Sequence, residues 1–250
     1  VQGKYGPSAL GRAVMRRLAI VPSLPVSPIS ERQVRLTQKF AEGMTQYCAL
    51  WPGPVVAVMH PDNGGATQNL DDRTFELDVL PFELRCAAFE SAGIFDALID
   101  CDVVMLGGDH RHPLLASWCA ARGKRTVFVT EYSLQTRFDI IKASVSNPIV
   151  RLRRYIWESR QEMKNRRAIA IADAVQCNGV PTFAEYSKVN ANTMCFFDSR
   201  VTEEMIPDNP SVAVRAELLK QGRPINLAYS GRLSTMKGVE DLVDVASQVR

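Results

Sequence analysis

Nowhere in the 250 residues does an apolar run approach the roughly 18 residues that a membrane-crossing helix requires, so the sequence offers no transmembrane segment. Nor does a basic start lead into a short apolar stretch with a small-residue cleavage site, and we expect no signal peptide. The six cysteines, Cys48, Cys86, Cys101, Cys119, Cys177 and Cys195, form no CxxC pair and do not cluster with the three histidines as zinc ligands do. They read as buried thiols of a reducing compartment, where free cysteine behaves as a small hydrophobe. Gly (15) and Pro (14) are too few for a collagen-like or low-complexity chain, while 46% hydrophobic residues suffice for a sizeable core. Net charge is also scarce, at +3, and it is concentrated. Residues 151–167 hold seven basic side chains and two acids, which leaves the rest of the chain slightly acidic.

What is present is a rhythm. Short apolar, β-branched runs at 18–21, 55–59, 75–80, 103–106, 126–130, 174–177 and 193–197 alternate with longer helical patterns. That order predicts an α/β protein with a Rossmann-like parallel sheet and helices on both faces. Ser30 followed by Gln33 has the spacing of a capping box, and Val34, Thr37, Phe40, Ala41 and Met44 then share one helical face. Further helices are expected over 89–99, 114–122 and 149–172.

In an open parallel sheet, ligands bind beyond the carboxyl ends of the strands. This rule selects Ser23, His60 with Asp62, Phe82, Asp109 with His110, Glu131 with Tyr132, and Asn178 with Gly179. Of these, Ser23, His60, Asp109 and Tyr132 outline a candidate acceptor cleft. His110 suits the role of base or hydrogen-bond donor, since imidazole titrates near neutral pH. The Asp109-His110-Arg111-His112 string has no third group of ligands beside it, so no metal is expected. Gly64-Gly65 and Gly107-Gly108 read as turns and lack the G-x-G-x-x-G spacing of a dinucleotide site, which argues against a nicotinamide oxidoreductase.

The tail carries the sharpest motif. Residues 225–230 read as a fresh strand, 231–238 as Gly-Arg-Leu-Ser-Thr-Met-Lys-Gly, and Val239, Leu242, Val243, Ala246 and Val249 as one helical face. Gly231 permits the turn at the strand end, and Gly238 permits close approach where the helix begins. Arg232 and Lys237 add two cations beside a helix N-terminus, a setting that suits a diphosphate.

This G-R-L-x-x-x-K-G loop between a strand and an apolar helix resembles the opening of the C-terminal domain of family 4 glycosyltransferases. Arg154, Tyr155 and Glu158, followed by Ile171-Ala172-Asp173-Ala174-Val175, are similar to the stretch before the sixth strand of that family's N-terminal domain. The resemblance implies the GT-B fold, with residues 1–220 as the acceptor-side domain and 221–250 as the truncated start of a nucleotide-sugar-binding domain. It implies transfer of a sugar from a nucleotide sugar to a glycan or lipid-linked acceptor, with retention and without a metal or other cofactor. Gly231, Arg232, Lys237 and Gly238 would hold the donor diphosphate, where preorganised cations meet charge developing on the leaving group.

Two local departures accompany the match. Ser23-Leu24-Pro25-Val26 stands where many relatives have Gly-Gly, and Glu131-Tyr132 where many have a histidine. Either Glu131 substitutes as a catalytic carboxylate, or the protein is a non-catalytic carbohydrate-binding or scaffold relative. The family's later acidic motif has no counterpart within the 250 residues, so the resemblance implies a fragment or a degenerate copy.

Projected at about 100° per residue, the helix expected over 149–172 carries Leu152, Ile156, Met163 and Ala170 on one stripe, read as its inward face. Arg153, Arg160, Lys164 and Arg167 run beside it, and Arg154, Glu158, Glu162 and Arg166 form a third face read as a solvated salt ladder. The unpaired basic stripe suits a peripheral contact with anionic membrane. Aromatic residues are not interleaved with it as stacking platforms, so no nucleic-acid partner is expected. The expected location is cytoplasmic, peripheral at the inner membrane face.

Overall fold

Leu18–Val21 (β1) points successive side chains into two different cores, and all four residues are buried. A strand enclosed on both faces belongs at the centre of a covered sheet, which is where the computed structural model places it. The structure describes residues 15–62, 71–108, 111–199, 201, 203–224, 228–229 and 238–248. Around β1 lie Val55–Pro61 (β4), Glu83–Cys86 (β6), Val103–Gly107 (β7), Arg125–Thr130 (β8), Ala174–Asn178 (β9) and Thr193–Phe196 (β10), all parallel, in the spatial order β6-β4-β1-β7-β8-β9-β10. Chain direction along the sheet reverses between β1 and β7, the crevice position of a doubly wound sheet. The α/β fold class expected from the sequence is therefore observed.

The first face of the sheet buries Val21, Val58, Leu106, Phe128 and Val175 beneath Gly93–Ala97 (α2), Pro113–Ala121 (α3), Pro148–Ile171 (α5) and Val180–Tyr186 (α6). Leu134–Ser144 (α4) packs on α5. The second face buries Leu18, Ile20, Ala57 and Met105 beneath Gln38–Leu50 (α1), whose Met44 is 1% exposed.

Several expectations are corrected. Ser30 does not cap a helix. Its Oγ accepts the N–H groups of Arg32 and Gln33 in the turn between Pro25–Pro28 (β2) and Gln33–Thr37 (β3). The buried, exposed, buried sequence Val34-Arg35-Leu36 has the period of a strand, and α1 begins only where Thr37 Oγ1 accepts the Phe40 N–H at 3.1 Å. The run at 75–80 is the end of the antiparallel strand Asp72–Glu76 (β5) and a short turn of 3₁₀ helix, while the third parallel strand is β6. Phe82 precedes that strand and packs edge-on against Phe40 in the second core, away from the strand ends that face ligand. The helix expected over 89–99 is confined to α2.

The largest correction concerns α5, whose ends agree with expectation to within one residue. Leu152, Ile156, Met163 and Ala170 face solvent, and the buried residues are Glu162, Asn165, Ala168 and Ile169. The supposed salt ladder is instead an internal ion network. Arg137 of α4 pairs with Glu158 at 3.2 Å and with Glu162, which is 2% exposed. Arg166 reaches Glu162 at 2.7 Å, a charge contact without hydrogen-bond alignment, and also pairs with Glu185 of α6. Tyr186 donates to Glu162 at 3.1 Å. Buried carboxylates persist only when paired in this way, so the charges, rather than the apolar stripe, fix which face turns inward.

Among the described residues no helix is long and apolar enough to cross a membrane. Asn209–Lys220 (α7) and Asp241–Gln248 (α8) bury no residue. The strand expected at 225–230 lies largely outside the described residues.

Candidate functional site

The loops that follow β1 and β7 meet at the switch point. Gly107 lies so close to the neighbouring loop that a Cβ there would stand 3.1 Å from the Ser23 backbone nitrogen, so a side chain at 107 would push the two loops apart. His112 is fully buried, and its Nδ1 lies 2.6 Å from the Gly107 carbonyl oxygen, which ties the loop to the start of α3. Phe89 packs against the same imidazole, ring centres 4.9 Å apart.

Beyond these loops opens a cleft of about 790 Å³. Its floor is Pro22, Ser23, Gly107, Gly108, Thr130, Glu131 and Tyr132, the carboxyl ends of β1, β7 and β8. Both cores contribute to its walls: Phe128, Ile169 and Tyr186 from the first, Ile20, Met44, Tyr47 and Met105 from the second. Lys39 at the start of α1 pairs with Asp198 just after β10, a bridge across the rim between the two ends of the sheet. The volume lies in the range of small-molecule sites, and the mixture of apolar wall with a few polar groups is typical of them.

Three predicted residues, Ser23, Glu131 and Tyr132, come together in this cleft. His60 does not join them. It sits at the end of β4 with Nδ1 accepting the Phe89 N–H at 3.2 Å and its ring 5.3 Å from the Phe89 ring. That hydrogen bond leaves Nδ1 without a proton, so a neutral His60 carries its hydrogen on Nε2. Asn178 accepts the Asp198 N–H at 3.2 Å, and Gly179 begins α6 with φ +87°. Asp109, His110, Gly231, Arg232 and Lys237 lie outside the described residues. Gly238 is described: its φ of +66° suits glycine, and its carbonyl accepts the Asp241 N–H at 3.2 Å at the start of α8.

Among the lining residues that the strand-end rule does not select are Arg137 and Asn165. Asn165 is 9% exposed, and its Oδ1 has no hydrogen-bond partner among the described residues. A buried acceptor left in this condition costs stability unless a ligand or water supplies a donor. Arg137 brings a guanidinium to the same cleft, already balanced by Glu158 and Glu162. Burial, assisted by the Glu162 carboxylate, raises the Tyr186 phenol above its ordinary pKa, so it remains a neutral donor at physiological pH. The available signal was the i,i+3 series Glu162, Asn165, Ala168, in which small and paired polar residues mark the inner face.

No protein-family model matches the chain, and no curated protein sequence does. Among solved structures, the chain is similar to Anabaena HepE in complex with UDP, with TM-score 0.50 and 12% identity over 94% of this chain and 58% of that one. Phytolacca americana UGT2 complexed with UDP-2-fluoro-glucose and pterostilbene gives TM-score 0.43 and 9% identity, over 77% and 55%. Os79 from O. sativa, in complex with UDP and deoxynivalenol-3-glucoside, gives 0.41 and 12%, over 93% and 64%. The chain thus spans somewhat more than half the length of these structures. The likeness to HepE at this identity is one of fold: the chain has the Rossmann-like architecture found in GT-B glycosyltransferases.

Proposed function

We propose that this chain is the acceptor-side part of a glycosyltransferase that moves a sugar from a nucleotide sugar to a glycan or lipid-linked acceptor. The observation that carries the reading is the cleft at the β1/β7 switch point, which gathers Ser23, Glu131 and Tyr132 from the carboxyl ends of parallel strands and Arg137 and Asn165 from α4 and α5. Residues 1–220 form the acceptor side in this reading, and 221–250 begin the donor domain. Asn165 Oδ1 supplies an acceptor for a substrate hydroxyl, and Tyr132 is an exposed ring against which a sugar face can pack. Glu131 serves as the carboxylate near the reacting sugar, with His110 as a second proton-transfer group. Arg232 and Lys237, flanked by Gly231 and Gly238, hold the donor diphosphate at the start of the helix that follows. Charge builds on the diphosphate as the glycosyl bond breaks, and two fixed cations lower the barrier without a metal. The expected outcome is retention, in a cytoplasmic enzyme of surface-glycan synthesis.

The test is calorimetry of the full-length protein against UDP-, GDP- and ADP-sugars, followed by turnover assays. Binding of one donor is expected, and Arg232→Ala should lower transfer by about tenfold to a hundredfold while leaving the fold intact. No binding to any donor overturns the proposal, and binding without turnover selects the carbohydrate-binding reading.

A further inference from the structure

The outer face of α5 carries two adjoining stripes. Ile149, Leu152, Ile156 and Met163, spaced 3, 4 and 7 apart, are 71, 59, 46 and 55% exposed. Immediately beside them Arg153, Arg160, Lys164 and Arg167, spaced 7, 4 and 3 apart, are exposed as well, and among the described residues none of the four is in an ion pair. Trp157, 44% exposed, lies along the far edge of the basic stripe. The face carries no acid, because both carboxylates of the helix, Glu158 and Glu162, turn inward to Arg137. From Ile149 to Arg167 the two stripes extend over about 27 Å of the helix.

Each stripe alone has an ordinary explanation, either isolated surface hydrophobes or a solvated basic face. Their juxtaposition does not. Side-by-side aliphatic groups in water mark a contact site, and four unpaired cations repel any second cationic surface. A symmetric contact between two copies would set the basic stripes against each other. Nucleic acid would use the cations and leave the aliphatic stripe in water. One partner uses both at once: a bilayer of anionic lipids, whose headgroups meet the cations while the aliphatic side chains enter the boundary with the acyl chains.

We propose that the outer face of α5 is a membrane-docking surface that lies flat on anionic bilayers. The internal ion network holds that face outward, so the docking surface is preformed and does not fold on contact. α5 leads into β9 and runs against the direction of the strands, which puts Ile149 and Arg153 at the same end of the molecule as the cleft. With α5 flat on the surface, the cleft mouth therefore opens along the bilayer, at the end of the molecule where Ile149 and Arg153 lie. The proposal stands independently of the sugar-transfer reading, since it uses none of the cleft residues.

The experiment is sedimentation of the full-length protein with vesicles of phosphatidylcholine alone and of phosphatidylcholine mixed with phosphatidylglycerol. Binding to the mixed vesicles only is expected. The combined variant Arg153→Gln, Arg160→Gln, Lys164→Gln and Arg167→Gln should lose about fivefold in partition per residue. Ile149→Ser with Leu152→Ser, Ile156→Ser and Met163→Ser should retain binding at low salt and lose the part that resists high salt. All eight positions are exposed, and an unchanged thermal midpoint of each combined variant verifies folding. Equal partition onto both vesicle types overturns the proposal, as does undiminished binding by the glutamine variant. It is likewise overturned if the serine variant changes the size-exclusion volume of the lipid-free protein, which would make the face an interface between copies, or if DNA binds this face and vesicles do not.

Discussion

α1 and α5 are both amphipathic helices packed beside the same sheet, and they are oriented by opposite means. In α1 the apolar residues Ala41 and Met44 turn inward and close the second core, with Phe40, Tyr47 and Cys48 partly buried around them. In α5 the cluster Glu158, Glu162 and Asn165 turns inward, and its aliphatic stripe meets solvent. Hydrophobic burial, at about 25 cal/mol per Å², orients α1. α5 obeys a steeper rule: a carboxylate with its cations already in place on neighbouring helices cannot be rotated to make room for leucine without stranding Arg137. A stripe of apolar residues states a preference, and a buried ion network can overrule it.

The comparison can be broken at its strongest point. Glu162→Gln removes one charge from a site where Arg137, Arg166 and Tyr186 converge, and it should cost about 3–5 kcal/mol, read as a fall in the urea midpoint. A midpoint unchanged by this substitution would mean that the network does not orient α5. Met44→Ala, at the corresponding buried position of α1, should cost about 2–4 kcal/mol through lost contacts and a cavity.

Asn165→Leu sharpens the contrast in the other direction. Removing an unpartnered buried amide in favour of a side chain of similar size should raise stability by about 1 kcal/mol, seen as a higher melting temperature, while weakening binding of any ligand that fills the cleft. If Asn165 has only a structural role, its replacement lowers the melting temperature instead.

Tyr186 gives a pH signature of the same network. Its phenol is raised in the folded state, so unfolded chains lose that proton first as pH rises through about 10. The corresponding stability is complete below that pH and declines above it, and Tyr186→Phe should flatten the alkaline limb of the stability profile. The smallest effect belongs to the outer stripe: Ile156→Ser should change stability by less than about 0.5 kcal/mol, since the side chain is already in water.

Much of the fold is legible in the residues. The runs at 18–21, 103–106, 126–130 and 174–177 are β-branched and apolar because their strands are covered on both faces, and they fall inside β1, β7, β8 and β9. β6 was hidden because Glu83-Leu84-Arg85-Cys86 reads as polar, and its ladder to β4 is held by backbone hydrogen bonds that no side chain advertises. The β2–β3 hairpin was hidden because Val34, Thr37, Phe40 and Met44 satisfy a helical spacing across the boundary of a strand and a helix. At the site, Ser23, Glu131 and Tyr132 followed from the strand-end rule alone. Arg137 and Asn165 did not, since they reach the cleft from helices whose inner faces depend on one another.

The sequence by itself determined the α/β class, the central strands, the length of α5 and the position of its charges. Those follow from local propensity and periodicity, which each segment carries on its own. Only the tertiary structure decided which side of α5 is inside. That outcome depends on Arg137 and Glu185, 25 and 19 residues from their partners Glu162 and Arg166, which come within charge contact only once α4, α5 and α6 have packed on the sheet.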